Sequence, residues 1–135
     1  MKFYVISYVV TAAIFLGLDA IWLTFAGPRL YRPQLGDLLL ESYKVAPAAV
    51  FYLLYVIGIL IFATQPAAAS GRWQTALIYG ALFGFFAYGT YDFTNLATLK
   101  GWSQLITFVD LAWGTLVTGL SAALAYLIVS SILRS

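Results

Sequence analysis

Three aspartates, Asp19, Asp92 and Asp110, fall inside otherwise apolar stretches of this 135-residue chain. A carboxylate placed in hydrocarbon costs about 2.5–3.5 kcal/mol or more, so it normally faces protein or water and marks a proton, ion or ligand position. Each keeps polar or aromatic company at helical spacing. Tyr88, Asp92 and Asn95 share one face through i+4 and i+3 steps, continued by Gly80 and Gly84. Asp110 shares its face with Thr107, Trp113 and Gly114, and Asp19 shares its face with Phe15 and Trp22. Tyr52 and Tyr55 lie on another apolar stretch, at a depth where they can donate hydrogen bonds to this group.

Clustered carboxylates repel, so one of them would hold a proton, which suits proton exchange. Oxygens of Asp, Asn, Thr and Tyr also suit a hard cation such as Na⁺, Mg²⁺ or Ca²⁺ better than a soft metal, although no metal ligand set is defined by spacing alone. With no Cys and no His, protein-ligated haem, zinc and iron–sulfur centres are excluded, as is histidine acid–base catalysis. The cofactor, if there is one, is unknown from sequence. No phosphate loop, nucleophile elbow, zincin motif or paired-Asp lipid-phosphate transferase signature occurs. The competing reading is structural: Arg29, Arg32, Lys44 or Lys100 pair with the aspartates and pin loops. Buried ion pairs are weak evidence for function, and the two readings weigh about equally.

The elements that must position these residues can be read from composition. The chain is 63% hydrophobic and 9% charged, against roughly 45–50% and about 25% in an ordinary soluble domain. Such a chain cannot cover a water-soluble surface. Its net charge of +2 also excludes a phosphate-tracking nucleic-acid binder. A spanning helix needs about 20 mostly apolar residues, and the stretches over 3–26, 45–64, 73–99 and 103–132 qualify. The sequence therefore predicts an all-α polytopic membrane protein, one domain over 1–135, built as a four-transmembrane-helix bundle.

Gly27-Pro28, Gln65-Pro66 with Ser70-Gly71-Arg72, and Lys100-Gly101 read as the breaks between spans. The first span runs past Trp22 without a small-x-small cleavage site, so it reads as retained rather than as a signal peptide. The segment from Pro28 to Lys44 is too polar to span. Its Leu30, Leu35, Leu38, Leu39 and Leu40 predict a short amphipathic interfacial helix. Trp73 and Trp102 read as interfacial belt residues, and Gly58 and Gly119 as packing glycines.

Four alternating spans put both termini on one side, face A, with Lys2, Arg72 and Arg134; face B carries Arg29, Arg32, Lys44 and Lys100. The count of basic residues leaves orientation nearly balanced, with a lean toward cytoplasmic termini. Asp19 and Asp92 lie about seven residues before the ends of their spans and Asp110 about seven after its start, which sets each about 10 Å below face B. Three segments thus deliver an acid to one layer. Leu18–Thr24 and Val109–Thr115 both read apolar-D-x-x-W-x-T. An inverted repeat would place the second motif late in its helix; here it comes early, so the echo is local chemistry used twice.

The run Thr90-Tyr91-Asp92-Phe93-Thr94-Asn95-Leu96-Ala97-Thr98-Leu99-Lys100-Gly101-Trp102, followed by Val109-Asp110-Leu111-Ala112-Trp113-Gly114-Thr115, resembles the bacterial membrane-protein family called domain of unknown function 2177. Leu18–Leu23 and Phe51–Tyr55 resemble the first two helices of that family, so the resemblance covers essentially the whole chain. It implies a small multi-pass protein of the bacterial inner membrane and carries no catalytic residue over. The first functional expectation is binding or transport of a small ligand, proton or cation by Asp19, Asp92, Asn95 and Asp110, supported by Trp22, Tyr52, Tyr55, Tyr88, Thr107 and Trp113, in a homodimer within the lipid bilayer. The alternative is an accessory or assembly subunit of a larger membrane complex with structural aspartates. A lipid-modifying enzyme with an aspartate base comes third, so the balance leans away from catalysis.

Overall fold

The computed structural model describes residues 2–39 and 44–134, and every regular element among them is helical. Four rods form the bundle: α1 (Lys2–Leu38), α2 (Val45–Ser70), α3 (Trp73–Thr98) and α4 (Gln104–Arg134). Rods α1, α2 and α4 are long and apolar enough to cross a membrane. α3 has the length, at 26 residues. Its Gly80, Gly84, Thr90, Asp92 and Asn95 lower its mean hydropathy, and it packs most extensively against α4.

The prolines do not end the first two rods. A proline ring collides with the carbonyl four residues back and offers no N–H, so an α-helix must open there. In α1 the opening is a π turn over Gly27–Tyr31, closed by the Arg32 N–H on the Gly27 carbonyl. Arg29 covers the Phe25 carbonyl with its guanidinium at 3.0 Å. In α2 a π turn over Leu60–Thr64 precedes Pro66, and Gln65 N–H donates to the Leu60 carbonyl. An added residue per turn lets the rod continue and rotates the turns beyond it. α2 stops instead at Gly71, in the left-handed region (φ 72°), whose N–H caps the Ala67 carbonyl at 2.8 Å.

The segment between the first two rods keeps the helical form expected of it through Leu38, but as a continuation of α1. Leu35 and Leu39 turn toward the bundle, where they border a cavity. Leu40, part of the expected amphipathic face, lies outside the described residues. Ser103 anchors this extension: its hydroxyl donates to Gln34 Oε1 at 2.8 Å and accepts the Ile106 N–H at 3.1 Å, at the start of α4.

α3 and α4 approach closely because small residues face each other. A Cβ at Gly84 would strike the Gly114 carbonyl and the Thr118 side chain, and one at Gly114 would strike the Tyr88 ring. Below that contact the core gathers Phe15, Tyr55, Ile59, Ala63, Val117 and Ala122. Large apolar side chains such as Val9, Ile21, Leu54 and Phe86 point outward, which suits lipid and not water. Phe3, Gly71, Trp73 and Arg134 border one cavity, so the start of α1 and the end of α4 lie at the same end of the bundle, termed face A.

Candidate functional site

At the opposite end, face B, the rods diverge around a cavity of about 440 Å³. The indoles of Trp22 and Trp113 stack at its floor, 4.7 Å apart and 12° from parallel. The matching D-x-x-W motifs on α1 and α4 thus place their tryptophans against each other. Tyr31, Tyr52, Tyr88, Tyr91 and Trp102 complete an aromatic wall.

The three aspartates occupy this level in three different states. Asp19 is buried and fully engaged: Tyr52 Oη–H donates to one carboxylate oxygen, and Trp113 Nε1–H donates to the other at 3.1 Å. It therefore ties α1 to α2 and α4. Asp110 is half-buried on the cavity wall and accepts the Tyr31 hydroxyl at 2.6 Å, while that hydroxyl accepts Trp22 Nε1–H at 3.1 Å. Asp92 is fully buried behind the wall, and neither of its oxygens has a hydrogen-bond partner among the described residues. It lies within electrostatic reach of Asp110.

Tyr31 is the last residue of the π turn, and from there its hydroxyl reaches Asp110. Sequence reasoning placed Tyr31 in a surface segment and passed over it. The available signal was Pro33, whose ring bears on the Arg29 carbonyl inside the π turn, as Pro66 bears on that of Phe62 in α2. Trp102, expected as a belt residue, also borders the cavity, packs edge-on to Tyr91 at 5.7 Å, and buries an Nε1–H without a partner among the described residues.

The other candidates divide between the cavity wall and the core. Tyr88 lies on the wall within electrostatic reach of Asp19 and Asp110. Tyr55 turns deeper into the core, where its hydroxyl pairs with Thr118 Oγ1 at 2.9 Å. Thr107 is fully buried, and its hydroxyl donates to the Ser103 carbonyl of its own helix at 3.0 Å. Asn95 sits one turn nearer face B, beside Tyr91 and outside the cavity lining.

Of the expected ion-pair partners, Arg32 shares the cavity wall with Asp19 and Asp110 and the other three lie outside the lining. Arg29 is engaged by the Phe25 carbonyl and stands over the Phe25 ring at 4.2 Å. Lys44 and Lys100 are exposed and away from the lining, and Arg32 stands on the cavity wall. No group of three acids draws together tightly enough among the described residues to hold a metal ion. A second cavity of about 290 Å³, lined by Phe51, Ala87, Tyr88, Tyr91 and Asp110, abuts the first.

The family described as a predicted membrane protein (DUF2177) matches residues 4–127. No curated protein and no solved structure is significantly similar to the chain.

Proposed function

We propose that this chain, which belongs to the DUF2177 family of predicted membrane proteins, is a bacterial inner-membrane protein that binds and carries a small organic cation in the face-B chamber. The observation carrying this reading is the lining: two carboxylates, Asp19 and Asp110, stand among three indoles and four phenols, with Arg32 as the one cation of the wall among the described residues. Aromatic faces attract organic cations by about 0.5–2 kcal/mol each, more when water is excluded. The chamber also falls within the roughly 300–1,000 Å³ typical of small-molecule sites.

The aspartates divide the work. Asp19 is satisfied by Tyr52 and Trp113 and serves mainly to hold the chamber's shape, which supports the structural reading for this residue. Asp110 faces the cavity and is the acid for the ligand. Asp92 is buried behind the wall and outside the lining, so the ligand does not reach it.

Calorimetric titration of the purified protein in mild detergent with tetramethylammonium chloride, at constant ionic strength, tests this. Binding is expected in the wild type and is weakened at least about tenfold, or 1.4 kcal/mol, by Asp110→Asn. Absence of binding, or equal affinity in Asp110→Asn, would sink the proposal.

A further inference from the structure

Among the described residues the half of the bundle nearer face A contains no acid, yet its interior is not uniformly apolar. Ser7 and Thr11 of α1, Thr64 of α2 and Ser121 of α4 are at most 1% exposed. None of their hydroxyls has a hydrogen-bond partner among the described residues. Hydroxyls elsewhere on these rods behave differently. Thr24, Thr90, Thr98, Thr107 and Thr115 each donate to the carbonyl four residues back, at 2.6–3.0 Å. That internal bond is open to any helical Ser or Thr, and the four interior residues forgo it.

Their register is shared. Ser7, Thr11, Phe15 and Asp19 form one i, i+4 ridge, buried throughout. At 1.5 Å per residue, counting from Asp19, Tyr52 and Asp110 respectively, Ser7, Thr64 and Ser121 reach one layer about 17 Å beyond the chamber acids, and Thr11 sits about one turn nearer them. Thr64 belongs to the π turn of α2, which contacts both α1 and α4. π turns inside helices recur at functional positions.

Between this layer and the chamber stands Phe15, fully buried, with its ring 5.2 Å from that of Tyr55 and 6.0 Å from that of Tyr52. Ile59 and Val117 pack around it. The Tyr55–Thr118 hydroxyl pair, at 2.9 Å, is the polar link at that level. Beyond the hydroxyl layer, a face-A cavity of about 370 Å³ is lined by Phe3, Trp73, Tyr126, Ser130 and Arg134 among others.

We infer that Ser7, Thr11, Thr64 and Ser121 line a second compartment that holds water and is shut from the face-B chamber by Phe15 and Tyr55. Buried water typically makes about three hydrogen bonds to groups otherwise left unpaired, and these hydroxyls provide them from three rods. The hydroxyl layer and the face-B chamber are then two polar levels of one bundle with a closed aromatic barrier between them. Cation binding belongs to the chamber reading; hydration of the compartment does not rest on it.

The chain has no cysteine, so single substitutions report cleanly on water access. In proteoliposomes, Thr64→Cys and Ser121→Cys are expected to react with 2-aminoethyl methanethiosulfonate at least about tenfold faster than lipid-facing Val9→Cys, because a hydrated thiol ionises and an apolar one stays inert. Rates at or below that of Val9→Cys would overturn the inference. Ser121→Cys is nearly isosteric and keeps the test decisive if Thr64→Cys fails to fold. Leu35→Cys, on the chamber wall, reports the other reading separately. Slowing of its reaction by tetramethylammonium supports the cation chamber, and no slowing defeats that chamber while leaving the hydroxyl compartment standing.

Discussion

The two ends of the bundle solve the burial of polar groups in opposite ways. Near face B, Asp19 and Asp110 bring hydrogen-bond donors to themselves: Tyr52, Trp113 and Tyr31 are aimed at carboxylates by rods α1, α2 and α4. Nearer face A, Ser7, Thr11, Thr64 and Ser121 are also buried, and their hydroxyls make no hydrogen bond to a described residue. The difference teaches where rigidity and openness lie. A charge is too costly to leave unpaired, so its surroundings are fastened, whereas a hydroxyl costs about 1–3 kcal/mol at most and can be left for water. Asp92 belongs by position to the first region and by its lack of partners to the second.

The comparison is broken most severely at Asp19. Asp19→Ala removes the carboxylate that joins Tyr52 and Trp113 across three rods and is expected to cost about 3 kcal/mol, read as a large fall in thermal unfolding temperature in detergent. An unchanged unfolding temperature would show that the clamp is ornamental. Next in size, Gly84→Leu forces α3 away from Gly114 and Thr118, with an expected cost of about 1–3 kcal/mol by the same measurement. It would also loosen Tyr88 and so weaken tetramethylammonium binding.

The smallest effect is the most discriminating, because its sign carries the answer. If water bonds the Thr64 hydroxyl, Thr64→Val destabilises by about 1 kcal/mol; if the hydroxyl is a dry orphan, the same change is neutral or stabilising. Equilibrium unfolding of the wild type and Thr64→Val distinguishes the two.

Much of this was legible in the residues. The scarcity of charge required an all-helical membrane chain, and the spacing of Asp19, Asp92 and Asp110 from their span ends placed them on one level. The face shared by Asp110 and Trp113 came from the helical repeat. Other parts were misread for identifiable reasons. Pro28 and Pro66 normally end helices, and nothing local announces a π turn that absorbs them. Arg29 and Lys100 stood near the aspartates in sequence, but a side chain one turn out of phase meets a carbonyl or solvent instead. The place of Trp102 on the cavity rim could not be read from its spacing, because belts and cavity rims occupy the same depth.

Composition, periodicity and the rise per residue determined by themselves that this protein is a helical membrane bundle with its acids confined to one end. Those are one-dimensional properties, set by each helix independently. Which acid is clamped, which faces the cavity and which is left alone was decided only when the rods packed. A hydrogen bond depends on ångström distances and on rotational phase between helices, and one π turn is enough to change that phase. The same packing brought Tyr31 to Asp110, stacked Trp22 on Trp113 and left four hydroxyls without partners among the described residues behind Phe15.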